Sequence, residues 1–382
     1  MQTSRRSDVD PFIVMDVIQA AAEAEAAGRH IIHMEVGQPG TAAPGTARAA
    51  LATALDGDAM GYTVALGLPA LRTGIARLYH DWYGVTLDPA RVIVTSGSSA
   101  AFLLGFTALF DTGARVGVTE PGYPSYRQIL KALALSPVGL PTQPDNGHHL
   151  RPEDIPDGLD GVIVASPANP TGVILSKDEL AALIATTAAK NVAFISDEIY
   201  HGLHYGPRAT SALEITDDVY VINSFSKYFS MTGWRIGWMV VPPDHVRTIE
   251  RLAQNMFICA PHAAQVAALG ALDGTAECEA LRTVYAENRR LMMAELPKAG
   301  FTRLSPPDGA FYIYADVSDI CDDSQAFAAE ILADADVAVT PGLDFDPVRG
   351  RHSLRFSYAR STDDIREGLR RLTAFMAAST VG

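Results

Sequence analysis

The chain has 382 residues, 48% hydrophobic and 19% charged, a globular composition that excludes extended disorder. Its formal net charge of -14 argues against nucleic acid or an anionic membrane as partner, because phosphate contacts need clustered Lys and Arg. Cys259, Cys278 and Cys321 are widely spaced thiols without a C-x-x-C pair, and no apolar run nears the ~18 residues of a membrane span, so a cytoplasmic protein is expected.

Arg5-Arg6 has no apolar segment behind it, so no secretory signal is expected. Phe12 to Gly28 reads as an N-terminal helix. Short apolar runs then alternate with helical patterns. Arg91-Val-Ile-Val-Thr95 precedes a helix over Ala100–Phe110, and Arg115-Val-Gly-Val-Thr119 one over Ser125–Ala134. Gly161-Val-Ile-Val-Ala165 precedes a helix over Lys177–Lys190, which has a Ser176 cap and an acidic first turn. Val192-Ala-Phe-Ile195 and Val219-Tyr-Val-Ile222 complete five strands. All five are apolar on both faces, as in a buried parallel sheet, and the alternation predicts an α/β fold with helices over the sheet. A long connecting helix around Cys278–Glu295 leads to Ala310-Phe-Tyr-Ile-Tyr-Ala315, a helix, Val337-Ala-Val-Thr340 and Ser353-Leu-Arg-Phe-Ser357, an α+β pattern. The expected division is a large domain over residues 45–280 and a smaller one from 1–44 and 281–382.

Ligands of an open parallel sheet bind beyond the carboxyl ends of its strands. In chain order those ends carry Ser96-Gly-Ser-Ser99 opening a helix, Pro121-Gly-Tyr-Pro124, Ser166-Pro-Ala-Asn-Pro-Thr-Gly172, Ser196-Asp-Glu-Ile-Tyr200 and Asn223-Ser-Phe-Ser-Lys-Tyr-Phe-Ser-Met-Thr-Gly-Trp-Arg-Ile-Gly237. Taken singly, Ser96–Ser99 is an N-cap, Tyr123 a core aromatic, Asp197 a helix cap, Lys227 a surface lysine and Arg235 a partner for a surface carboxylate. Taken in order, they supply phosphate donors, an aromatic plate, an amide, a carboxylate, a phenol and a primary amine. Pyridoxal phosphate uses all six: its aldehyde needs a lysine, its ring nitrogen an acid, its phosphate an arginine and helix-end donors.

From about Val36 to about Arg360 the chain resembles the class I/II pyridoxal-phosphate-dependent aminotransferases of fold type I, the family of aspartate and alanine aminotransferases. The resemblance rests on Ser224-Phe-Ser-Lys-Tyr-Phe-Ser-Met-Thr-Gly-Trp-Arg-Ile-Gly237, Asn169-Pro-Thr-Gly172 and Asp197-Glu-Ile-Tyr200. It implies that Lys227 forms the Schiff base and carries the proton. Asp197 would pair with the pyridinium nitrogen, Asn169 and Tyr200 would bond the 3-oxygen, and Tyr123 would stack on the ring. Ser98, Ser99, Ser224 and Arg235 would hold the phosphate, and Ser226 next to the lysine would shape the turn. Tyr62 would reach the neighbouring subunit's phosphate, implying a homodimer with shared sites. Arg355 would bind the substrate α-carboxylate, with Gly37 adding a backbone contact. The implied reaction moves an amino group between an L-amino acid and a 2-oxo acid with ping-pong kinetics.

The chain departs from the family pattern at Gly40-Thr41, where Asp-Phe is usual, at Ala100 in the phosphate loop, and at Asp346 after Phe345. Ala101 to Thr107 is uncharged, so no cation there awaits a second substrate carboxylate, which leans towards neutral or broad donors. A C–S β-lyase or an aminocyclopropane-carboxylate synthase shares this fold and lysine and is the alternative. A DNA-binding regulator is disfavoured by charge and by the few residues before Val36, and nicotinamide or P-loop enzymes by the missing glycine motifs. His201-Gly-Leu-His204 and His148-His149 read as local hydrogen-bonding residues, and no metal is expected.

Overall fold

The computed structural model describes residues 1–379. Its central sheet has seven strands: β1 Val92–Thr95, β2 Arg115–Glu120, β3 Ser136–Pro141, β4 Gly161–Ala165, β5 Ala193–Asp197, β6 Tyr220–Ser224 and β7 Gly237–Val240. The spatial order is β1-β7-β6-β5-β4-β2-β3, and every strand except β7 runs in one direction. The five sequence-predicted strands are all present. Two more join them. β3 lies at the edge and is half exposed, so its burial pattern differs from the apolar central strands. β7 is fully buried and antiparallel, inserted between β1 and β6. An apolar run in a buried strand carries no sign of its direction.

Helices cover the sheet. α1, Ile13–Ala26, packs on the C-terminal part, while α2 Pro69–Tyr83, α3 Gly97–Leu109, α4 Pro124–Ala132 and α5 Lys177–Ala189 flank the large sheet. Ser176 caps α5 in a reciprocal box with Glu179, as the sequence predicts. The connecting helix α6, Thr275–Glu295, leads into a second sheet of β8 Arg303–Leu304, β9 Tyr312–Asp316, β10 Thr340–Pro341 and β11 Ser353–Ser357, ordered β10-β11-β9-β8 and antiparallel. Ile32–His33 of the N-terminal segment pairs with Val337–Ala338, so the chain's start joins its last third.

Side-chain hydrogen bonds tie this C-terminal part to the large sheet and to α1. The Arg349 guanidinium donates to the carbonyls of Glu120 (2.7 Å) and Thr142 (2.8 Å) and to Asp346 Oδ2 (2.7 Å). The Asp344 carboxylate accepts from the Ile13 and Val14 amides, anchoring the start of α1.

Candidate active site

The carboxyl ends of β1, β2, β4, β5 and β6 converge, bringing all but one of the candidate site residues singled out from sequence to one cleft against β9 and β11. Asp197 ends β5 and is 2% exposed. Tyr126, one helical turn beyond Tyr123 on α4, donates its hydroxyl to Asp197 Oδ2, and the Ile199 amide donates to Oδ1 at 3.1 Å. Burial lifts Asp197 to about 6, against the pull of these two donors and of Lys227. Its neighbour Glu198 turns away, held by the Ser211 hydroxyl, the Ala212 amide and the Ser196 hydroxyl.

Lys227 follows β6 in the loop that returns as β7. Its amine makes no ion pair with a carboxylate among the described residues and donates to the Gly37 carbonyl at 2.6 Å. Burial, with Arg355 and Arg235 adding repulsion and Asp197 opposing, brings it down to about 7. A larger share of the amine is therefore neutral, and nucleophilic, near neutral pH than for an ordinary lysine. Tyr200 and Phe311 present their rings 5.6 and 5.9 Å from it.

Arg235 adopts a left-handed backbone with φ 52°, which folds its guanidinium onto the first turn of α3. At Gly97, itself at φ 77°, a Cβ would strike the Arg235 guanidinium, and at Gly237 one would lie 3.0 Å from the Ser98 amide. The helix start that carries Ser98 and Ser99 thus packs against a cation and the Ser224 loop. Ser224 Oγ lies 2.8 Å from Ser226 Oγ, so both serines belong to this turn. Tyr123 stands at the start of α4, with the rings of Tyr126 at 5.3 Å and Phe12 at 6.1 Å edge-on to it.

On the opposite wall Arg355, 3% exposed, donates to Asn169 Oδ1 (3.0 Å), Thr340 Oγ1 (3.2 Å) and the Glu35 carbonyl. Its Cζ lies 4.3 Å from the Tyr312 ring centre and 4.7 Å from that of Phe345. Its Nε is buried without a hydrogen-bond partner among the described residues, leaving a guanidinium donor for a ligand carboxylate. Gly37 sits close by, and a Cβ there would collide with the Tyr312 hydroxyl.

Sequence reasoning missed Tyr126, Tyr312, Phe345 and Thr340. Tyr126 had a signal, since a second tyrosine three residues after Tyr123 shares its helix face. Tyr62 is the one candidate that the chain does not bring to the cleft: it is 82% exposed. His201 hydrogen-bonds Tyr83 (2.6 Å) and the Ser166 carbonyl (2.9 Å), and His204 faces Arg282. Among the described residues no group of three or more His, Cys, Asp or Glu is placed to hold a metal ion.

This donor set fits a cofactor that carries an aldehyde, a phosphate and a basic ring nitrogen, and the family model of class I and II aminotransferases matches residues 29–372. The chain belongs to that family. This aminotransferase depends on pyridoxal phosphate and acts on amino and 2-oxo acids. It is 45% identical, over 97% of each chain, to the valine–pyruvate aminotransferase of Mycobacterium tuberculosis. A solved Silicibacter pomeroyi chain is 66% identical with a TM-score of 0.94, covering 99% of this chain and 100% of that one. The Thermus thermophilus aspartate aminotransferase with maleate is 30% identical with a TM-score of 0.93, covering 98% and 100%. The fold is fold type I, and aminotransferase names among these relatives do not favour the lyase or synthase alternative. No helix among the described residues is long and apolar enough to cross a membrane.

Proposed function

We propose that Lys227 is the attachment and proton-transfer residue of an aminotransferase for neutral amino acids, working by a ping-pong cycle. One observation carries this reading: a buried amine brought down to about 7 between two arginines, beside a buried carboxylate. Asp197 would pair with the ring nitrogen, and Asn169 and Tyr200 with the 3-oxygen. Tyr123 would cover the ring. Ser98, Ser99, Ser224 and Arg235 would take the phosphate, and Arg355, with Asn169 and Gly37 beside it, the substrate α-carboxylate. When bound, pyridoxal phosphate supplies the electron sink that makes the substrate Cα proton acidic. The residues then have separate tasks: the Lys227 amine moves that proton, Arg355 orients the carboxylate, and Asp197 holds the site's negative charge against the ring.

Two features support neutral donors. Ala101–Thr107 offers no cation for a second carboxylate, and a relative at 45% identity is named for valine and pyruvate. We infer a cytoplasmic homodimer with the domain division at residues 45–280. In its support, Tyr62, Val64, Met256 and Ile258 are exposed apolar side chains, and His262 bonds the Gly61 carbonyl at 2.9 Å, linking those two segments.

The test adds each amino acid, without an acceptor, to the cofactor-loaded enzyme. Valine, alanine and similar donors should bleach the yellow chromophore with one equivalent of 2-oxo acid released per site. Bleaching by aspartate alone would overturn the neutral-donor reading. Continuous release of ammonia and pyruvate would overturn the transaminase cycle.

A further inference from the structure

We propose that Tyr312 is a positioning residue that couples the two ends of the site, its hydroxyl setting the direction of the Tyr200 hydroxyl and its ring holding the Arg355 guanidinium. The inference rests on the reading of Tyr200 as a donor to the cofactor's 3-oxygen. Tyr312 lies on β9, fully buried, and its hydroxyl is 2.8 Å from that of Tyr200. This is the only hydrogen bond of the Tyr200 hydroxyl among the described residues. A phenol has one proton to give. If Tyr200 gives its proton to the 3-oxygen, the bond to Tyr312 must run the other way, with Tyr312 donating and Tyr200 accepting. A donor that also accepts is a stronger donor, by about 10–30% per bond in condensed-phase estimates.

The same side chain reaches the substrate end. Its ring centre is 4.3 Å from Arg355 Cζ, within cation–π range. Its hydroxyl occupies the space a Cβ at residue 37 would need, so Gly37, whose carbonyl holds Lys227, approaches only because it is glycine. The charged and titratable groups facing the hydroxyl are Arg355 from β11, Tyr200 after β5 and Tyr123 at the start of α4.

The experiment is a pH titration of chromophore absorbance in the loaded enzyme, for wild type, Tyr200→Phe, Tyr312→Phe and the double variant. Hydrogen bonds to the anionic 3-oxygen favour the deprotonated chromophore, so losing them raises the midpoint. Tyr200→Phe should give the larger rise, and Tyr312→Phe one in the same direction of ~0.2–0.6 unit. The double variant should match Tyr200→Phe alone, since the two hydroxyls act in series. Separately, Tyr312→Leu should raise KM for the amino acid more than Tyr312→Phe, because only the former removes the ring from Arg355. A wild-type midpoint in Tyr312→Phe, or additive shifts in the double variant, would overturn the role of Tyr312 while leaving Tyr200 standing. No shift in Tyr200→Phe would overturn the reading of Tyr200, and this inference with it.

Discussion

Removing one hydroxyl, in Tyr126→Phe, tests how the site keeps Asp197 charged. Tyr126 donates to a carboxylate that is 2% exposed, and the pull of this bond is the largest one opposing the burial that lifts Asp197 to about 6. A hydrogen bond to a charged group contributes about 1.5–3 kcal/mol, and about 1.4 kcal/mol corresponds to one pKa unit. Its loss should therefore move Asp197 to ~7–8. At pH 7 the ionised fraction falls from about nine-tenths to between a half and a tenth, while at pH 9 both proteins stay mostly ionised. A cofactor whose ring nitrogen pairs with Asp197 feels that difference. Titrating apoprotein with pyridoxal phosphate by tryptophan fluorescence should give a variant-to-wild-type Kd ratio ~2–10-fold larger at pH 7 than at pH 9. Lys227 titrates in the same window in both proteins and largely cancels in the ratio. Stability should follow the same linkage. The folded pKa of Asp197 lies above its unfolded value, so its contribution is present at low pH and lost as pH rises through the folded value. In the variant that loss extends to ~pH 7–8, making the deficit of the apoprotein larger at pH 8 than at pH 5. Equal Kd ratios at the two pH values would refute the reasoning.

Further predictions follow the same contacts. Lys227→Ala should abolish turnover while equilibrium dialysis still detects bound cofactor, and near-wild-type turnover would exclude Lys227 as the attachment residue. Arg355→Leu should lower kcat/KM by about 10²-fold or more, mostly through KM. The same change removes a cation that depresses Lys227, so the pH at which the apoprotein amine becomes reactive should rise above about 7. Gly37→Ala should displace either Tyr312 or the carbonyl that holds Lys227, seen as a loss of kcat without loss of folding by circular dichroism. Arg349→Met should cost about 1–3 kcal/mol in urea unfolding, the lower end being favoured because the side chain is 37% exposed.

The residues proposed to hold the cofactor could be singled out because most lie at or just beyond the end of a buried apolar strand. A run such as Gly161-Val-Ile-Val-Ala165 announces its own end, and a parallel sheet brings those ends together. The missed strands fail for physical reasons: β3 is a half-exposed edge, and β7 returns antiparallel with the same apolar composition as its neighbours. The proposed substrate side was less legible. Arg355 came only through resemblance, and its partners Glu35, Asn169 and Thr340 come from three distant parts of the chain. Nothing local in Tyr312 distinguishes it from Tyr314 two residues on, which shares its strand. Only the packing of β9 against Gly37 and Tyr200 makes the difference.

Borohydride reduction of the loaded enzyme, followed by peptide mapping, tests the central claim most directly. The account predicts one reduced cofactor adduct per chain, on the peptide that contains Lys227. An adduct on another lysine, with Lys227 unmodified, would contradict it.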